Sequence, residues 1–104
     1  PVHQFCKVGN YSFTGGGFRI VQDVPPYILA MNEPLKYSGL NIMGLRRNKF
    51  SSKTRNNIKA AYQLIYNSSL NLSQAIKKME DDFENTSEIH EILDFIKKSD
   101  RGLI

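Results

Sequence analysis

The sequence predicts a mixed fold class: the last coil of a left-handed parallel β-helix followed by a C-terminal helical bundle. Three observations predict it. Residues 2–24 repeat every six positions, two prolines at 25 and 26 end the repeat, and from Asn41 onward apolar residues recur at helical spacing. The chain divides accordingly into a terminal coil and its exit (1–27), a connection (28–40) and a helical domain (41–104).

In the repeat, Val2, Val8, Thr14 and Ile20 hold the first position of each unit, and glycine follows Val8 and Thr14. Cys6, Ser12, Phe18 and Val24 stand four residues later. In a hexapeptide β-helix short strands run along three faces, and three hexapeptides make a coil. Inward sites are small or aliphatic because stacked coils approach closely. Phe18 is large for such a site, so the coil is expected to flare or be capped there. Left-handed winding departs from the right-handed crossover preference. Four units make little more than one coil, and a lone coil has no neighbour to bury its faces. The N-terminus is therefore expected to lie inside a longer solenoid whose earlier coils precede Pro1. A short hairpin with coincidental spacing is the alternative that the spacing alone leaves open.

Pro25 and Pro26 cannot donate to a ladder and stiffen the exit. Residues 27–40 read as a strand or loop connection, with Gly39 as a turn. Asn41 is placed to cap a short helix running through Gly44 to about Asn48. Ser51 caps a longer one with Ile58, Ala61, Tyr62 and Ile65 on one face. Asn71 and Gln74 form a capping box for a third helix, with Ile76, Met79 and Phe83 inward. Asn85 and Glu88 do the same for a fourth, with Ile89, Ile92, Leu93 and Ile96 inward and Arg101-Gly102 ending it.

Composition excludes some functions. No apolar run approaches the length of a membrane span, and no signal-peptide pattern is present. A single cysteine, Cys6, cannot make an internal disulfide, which points to a reducing, cytoplasmic setting. Asn10, Asn67, Asn71 and Asn85 stand in glycosylation sequons that read as chance in an Asn- and Ser-rich chain.

The net charge of +4 is unevenly spread. Residues 1–79 hold eleven Lys/Arg against two acids, while residues 80–104 hold three against eight. The densest basic stretch is Arg46, Arg47, Lys49, Lys53, Arg55 and Lys59, with no acid between them. Such a stretch attracts phosphates, nucleic acid or an acidic protein, or is simply a solvated helix face.

A self-contained active site does not emerge. His3 and His90 are the two histidines, and His90, between Ile89 and Glu91, reads as a surface residue. No Cys/His cluster has zinc spacing, and no serine sits in a nucleophile elbow. Gly15-Gly16-Gly17 lacks the Lys-Ser/Thr of a phosphate loop and falls within the repeat. No metal or cofactor is implied.

The words VHQFCKVG, GG, QDVPPY, NIMGLRR and the closing RGLI occur in this order. In wording and spacing they resemble the C-terminal part of the acyl-[acyl carrier protein]–UDP-N-acetylglucosamine O-acyltransferases of lipid A synthesis. The resemblance runs ungapped from His3 through Phe50, then more loosely to Ile104, and covers about the last two-fifths of a typical family member. It implies a homotrimer of β-helices with active sites in clefts between subunits. A histidine there acts as general base on the sugar 3-hydroxyl, which attacks the thioester of a 3-hydroxyacyl chain on acyl carrier protein. That histidine belongs to an upstream coil, so no catalytic residue is expected in this chain and the isolated chain is expected to be inactive.

The resemblance also assigns binding residues. His3 and Gln4 match a His-Gln pair lining the cleft; Arg47 matches an arginine on the nucleotide phosphates, a task suited to a two-pronged guanidinium. Asn41 matches a nearby polar contact, although capping alone explains it. Gly16 matches the position that leaves the acyl-chain groove open. Met43 stands where the family often carries Glu, and Asn48 where it often carries a basic residue. Arg46, Lys49, Lys53, Arg55 and Lys59 are the expected docking surface for acidic acyl carrier protein. Two other readings stay open: part of a related hexapeptide N-acyltransferase, and a basic helical module that binds nucleic acid, although no recognition-helix signature or set of stacking aromatics accompanies the charge.

Overall fold

The structure, a computed structural model, describes residues 8–15, 22–31, 36–99 and 102–104. His3, Gln4 and Gly16, and the flare expected at Phe18, lie outside the described residues. The architecture is a small sheet followed by four helices, the coarse arrangement the sequence predicts. Its elements are β1 (Phe13–Thr14), β2 (Ile28–Met31), β3 (Lys36–Leu40), α1 (Ile42–Arg47), α2 (Ser52–Tyr66), α3 (Leu72–Asp82) and α4 (Ser87–Lys97).

The sheet order is β1-β2-β3. β1 runs parallel to β2, with Phe13 opposite Leu29 and Thr14 opposite Ala30, and Val8 bridges Val24 in the same sense. Each of these partners lies 16 positions along the chain, two fewer than three full hexapeptides. The hexapeptide phase thus slips before the exit: Val24 is buried, Ser12 and Thr14 are half-buried, and Val8 is exposed. Gly9 donates to Val24 O (2.7 Å), and a Cβ on Gly9 would stand 2.3 Å from the Pro26 nitrogen. Close approach of two backbones is the reason for glycine there.

The described residues of the connection are β structure. β3 returns antiparallel to β2, pairing Ile28 with Leu40 and Ala30 with Tyr37. The strand β3 therefore carries one extra residue between those pairs, and Gly39, at φ +96°, sits in this bulge. The turn expected at Gly39 is instead a bulge inside a strand, because both devices demand the same left-handed backbone.

A pairing the sequence does not announce closes the fold. Asp23 N donates to Gly102 O (2.7 Å) and Ile104 N to Asp23 O (3.1 Å), so Leu103 lies parallel to Asp23. The Asp23 carboxylate is fully buried and accepts from Ser99 Oγ at 2.5 Å. Residues 102–104 therefore return to the exit of the repeat.

The helix starts follow local chemistry. Asn41 accepts from Gly44 N, Ser51 from Thr54 N, and both bonds of the Asn71/Gln74 capping box form. The fourth start falls one residue later than expected: Thr86, not Asn85, caps α4 by accepting from Ile89 N, and the Glu88 carboxylate is taken by the Ser87 hydroxyl at 2.9 Å. α4 ends at Lys97 with Lys98 as its cap, well before Gly102, whose φ of +80° serves the C-terminal pairing.

The core is continuous. Val24, Tyr27, Ile28 and Ala30 join Leu45, Ile58, Ala61, Tyr62, Met79, Ile89, Ile92 and Ile96. On α3 Met79 is fully buried as expected and Ala75 joins it, while Ile76 and Phe83, expected inward, are half-buried. Each large aliphatic group here contributes about 1.5–3 kcal/mol on burial. Tyr62 is fully buried and donates its hydroxyl to Pro26 O at 2.7 Å, tying α2 to the exit of the repeat.

Candidate functional site

The candidate site is built around α1, a six-residue helix set against the parallel strands. Asn41 joins the two regions. Its backbone N–H donates to Tyr27 O at 2.9 Å, its side-chain Nδ2 donates to Tyr11 O at 2.9 Å, and its Oδ1 accepts from Gly44 N at 3.3 Å. At the other end, Asn48 Nδ2 donates to Gly44 O at 2.7 Å. Leu45 is the buried anchor of the helix, while Ile42 and Met43 are exposed.

Beneath α1 lies an aromatic trio. Phe50 meets Tyr11 edge-on at 5.1 Å and Tyr27 at 5.7 Å between ring centroids, and the two tyrosine rings stack at 6.0 Å. Offset and edge-on pairs of this kind add about 0.5–1.5 kcal/mol beyond their area. Tyr11, Tyr27 and Lys49 all have φ between +58° and +72°, a region that non-glycine residues seldom adopt. Burial pushes the Tyr27 phenol well above its ordinary range, and the negative charge of Glu91 adds to the shift. It is a structural hydroxyl at neutral pH.

Arg46 and Arg47 occupy the last turn of α1 and are exposed. Cations at that end suit the helix dipole. Their guanidinium groups extend from a helix whose backbone is fixed at both ends. Along α2, Arg55 and Lys59 stand one turn apart on the same side. Arg55 is held by Ser51 O (3.4 Å) and Ser52 Oγ (2.9 Å), which leave its charge uncompensated. Lys53 goes the other way and lies 3.8 Å from Glu84, both largely exposed. The contiguous basic run of the sequence is therefore split. Arg46 and Arg47 are on α1 and Arg55 and Lys59 on one side of α2, while Lys53 faces the acidic half of the chain.

His90 is exposed on α4, as its neighbours imply, and is the only histidine among the described residues. It borders a groove between α3 and α4 whose floor is Met79, Phe83, Ile89 and Leu93. Sequence reasoning missed Gly44: a Cβ there would stand 2.4 Å from Asn41 Nδ2. A glycine inside a six-residue helix, where it lowers helix propensity, was the available signal.

Solved structures with this arrangement are acyltransferases. The UDP-N-acetylglucosamine acyltransferase of Bacteroides fragilis matches with a TM-score of 0.95 at 50% identity, covering 99% of this chain and 40% of that one. The Arabidopsis UDP-N-acetylglucosamine acyltransferase matches at 0.88 with 36% identity, covering 98% and 39%. Among curated proteins, the acyl-[acyl-carrier-protein]–UDP-N-acetylglucosamine O-acyltransferase of Aliivibrio salmonicida is 39% identical over 104 residues, all of this chain and 40% of its own length. Residues 23–104 match the family described as UDP-N-acetylglucosamine O-acyltransferase, domain 2. The chain belongs to this family, and it spans about 40% of the length of the curated relatives it matches.

Proposed function

We propose that this chain is the C-terminal part of an acyltransferase that moves a 3-hydroxyacyl group from acyl carrier protein to the 3-hydroxyl of UDP-N-acetylglucosamine, in lipid A synthesis. The observation that carries the reading is the match over 99% of the chain, at 50% identity, to the Bacteroides fragilis enzyme. On this reading the parallel pairings Val8–Val24 and Phe13–Leu29 belong to the last coil of a left-handed β-helix. The enzyme is a cytoplasmic homotrimer with its clefts between subunits. No helix of the described residues is long and apolar enough to cross a membrane.

The chemistry requires a base that takes the proton of the sugar 3-hydroxyl as its oxygen attacks the thioester carbonyl. The tetrahedral adduct then expels the carrier thiol, to which the protonated base returns the proton. The base is a histidine of an upstream coil, and this reading assigns no catalytic residue to the present chain. His3 and Gln4 line the cleft, Gln4 by hydrogen-bonding the sugar or its acyl group. Arg47 grips the nucleotide phosphates, and Gly16 leaves the far end of the acyl groove open. Exposure of Arg47 at the end of an anchored helix supports its assignment. Arg46, Lys49, Lys53, Arg55 and Lys59 receive acyl carrier protein; Arg46, Lys49 and Lys59 are exposed, Arg55 is held by neutral acceptors, and Lys53 is partly engaged by Glu84.

Binding to the complete trimer tests the reading. UDP-N-acetylglucosamine and its 3-O-acyl product are expected to bind, and duplex DNA to compete with neither. Binding of DNA in preference to the nucleotide sugar would refute it.

A further inference from the structure

Asn41 does more than cap α1. Its amide spans two regions, donating to Tyr11 O on the strand side while accepting from Gly44 N in the first helical turn. Its backbone N–H reaches a second strand-side carbonyl, that of Tyr27. Both carbonyls belong to residues with positive φ, Tyr11 at +58° and Tyr27 at +72°. Strained backbone persists where the surroundings over-determine it, and it clusters where geometry matters to function. Here the strain aims two carbonyls at one residue. Lys49, the third such residue, follows the helix directly.

Gly44 completes the device. A methyl group there would meet Asn41 Nδ2 at 2.4 Å and Cγ at 2.9 Å. The amide is the flexible end of a side chain and would swing aside at little steric cost, but it would leave Tyr11 O.

We infer that Asn41 is a positioning residue: with Gly44 it clasps α1 to the turns at Tyr11 and Tyr27, which lead into β1 and β2, and so fixes Arg47 relative to the cleft. The inference rests on the reading of Arg47 as the phosphate ligand. It gives Asn41 a role that acts through Arg47, in place of a direct contact with the nucleotide.

Asn41→Asp separates the roles. Aspartate caps a helix as well as asparagine does, but a carboxylate cannot donate to Tyr11 O. In the complete enzyme, amide exchange of α1 is expected to accelerate about tenfold, with the amides of α2–α4 unchanged. Gly44→Ala should act the same way. Alanine is the better helix former, so a role limited to helix propensity predicts slower exchange, the opposite sign. Kinetically, Asn41→Asp should raise KM for UDP-N-acetylglucosamine about tenfold with kcat within about twofold. Combined with Arg47→Ala, it should add almost nothing to the single arginine change.

Unchanged α1 exchange in Asn41→Asp overturns the clasp, whatever the kinetics. Accelerated exchange with additive KM effects overturns the positioning of Arg47 and favours direct contact. If Arg47→Ala alone leaves KM unchanged, the phosphate reading fails, while the exchange result still decides whether the clasp exists.

Discussion

The strand region and the helical region of this chain are stabilised by different means. Over residues 8–15 and 22–31, order comes from backbone pairing, two buried prolines and close glycine contacts; Val24, Ile28 and Ala30 reach the shared core, and Val8, Tyr11, Phe13 and Met31 remain exposed. The helices carry their own fully buried side chains in Leu45, Ile58, Tyr62, Met79 and Ile92. The strained tyrosines lie in the first region, and the charges assigned to phosphate and carrier protein lie in the second. The helices carry the clustered basic side chains, while the strand region leaves large apolar side chains at its surface. The site depends on the joints between them: Asn41, Tyr62 and the Asp23–Leu103 pairing.

Mutations of graded effect sharpen this contrast. The largest loss is expected from Ile92→Ala, a fully buried side chain on α4. It should cost about 2–5 kcal/mol in denaturant unfolding of the complete enzyme and accelerate exchange in α2–α4. Gly9→Ala places a methyl group against the Pro26 backbone and should cost about 1–3 kcal/mol. Exchange should rise at Gly9 and Tyr27 while α4 keeps its protection; equal loss in both regions would show that they are one cooperative unit.

Tyr62→Phe leaves the buried Pro26 carbonyl without its donor, an expected loss of about 1–3 kcal/mol. It should disturb both regions because the bond joins them. The same phenol carries a pH signature. Burial raises the Tyr62 and Tyr66 phenols above their unfolded value of 10.0, so folding favours the protonated form. Their contribution is complete below that pH and falls as pH rises above it. Phenolate absorbance of these tyrosines should therefore emerge only together with alkaline unfolding, and a gradual titration of the intact fold would show them accessible. The smallest effect is at a cap: Thr86→Ala should cost about 1 kcal/mol and Asn85→Ala at most about 0.3 kcal/mol, since only Thr86 reaches Ile89 N.

What could be read from the sequence was whatever is encoded locally. Ser51 and the Asn71/Gln74 pair announce helix starts because cap and partner stand three residues apart. Thr86 was hidden by Asn85, an equally good cap one residue earlier, and Ser87 drew off the Glu88 side chain on which the alternative relied. Gly39 announced positive φ without saying whether a turn or a bulge used it. The joints were not legible. Asp23 meets Leu103 across most of the chain, and Asn41 reaches back to Tyr11, pairings that no local pattern encodes. Nor do Tyr11 and Tyr27 advertise left-handed backbone, since neither is glycine or asparagine. For the site, the family words propose Arg47 as the phosphate ligand, whereas the proximity of Gly44 to the Asn41 amide is visible only in three dimensions.

The most direct measurement supplies 3-hydroxyacyl–acyl carrier protein and UDP-N-acetylglucosamine to the complete enzyme and determines the linkage in the product. An ester at the sugar 3-hydroxyl is expected, with no turnover by the 104-residue chain alone. Transfer to an amino-sugar nitrogen in place of the hydroxyl, or turnover by the isolated chain, would contradict this expectation.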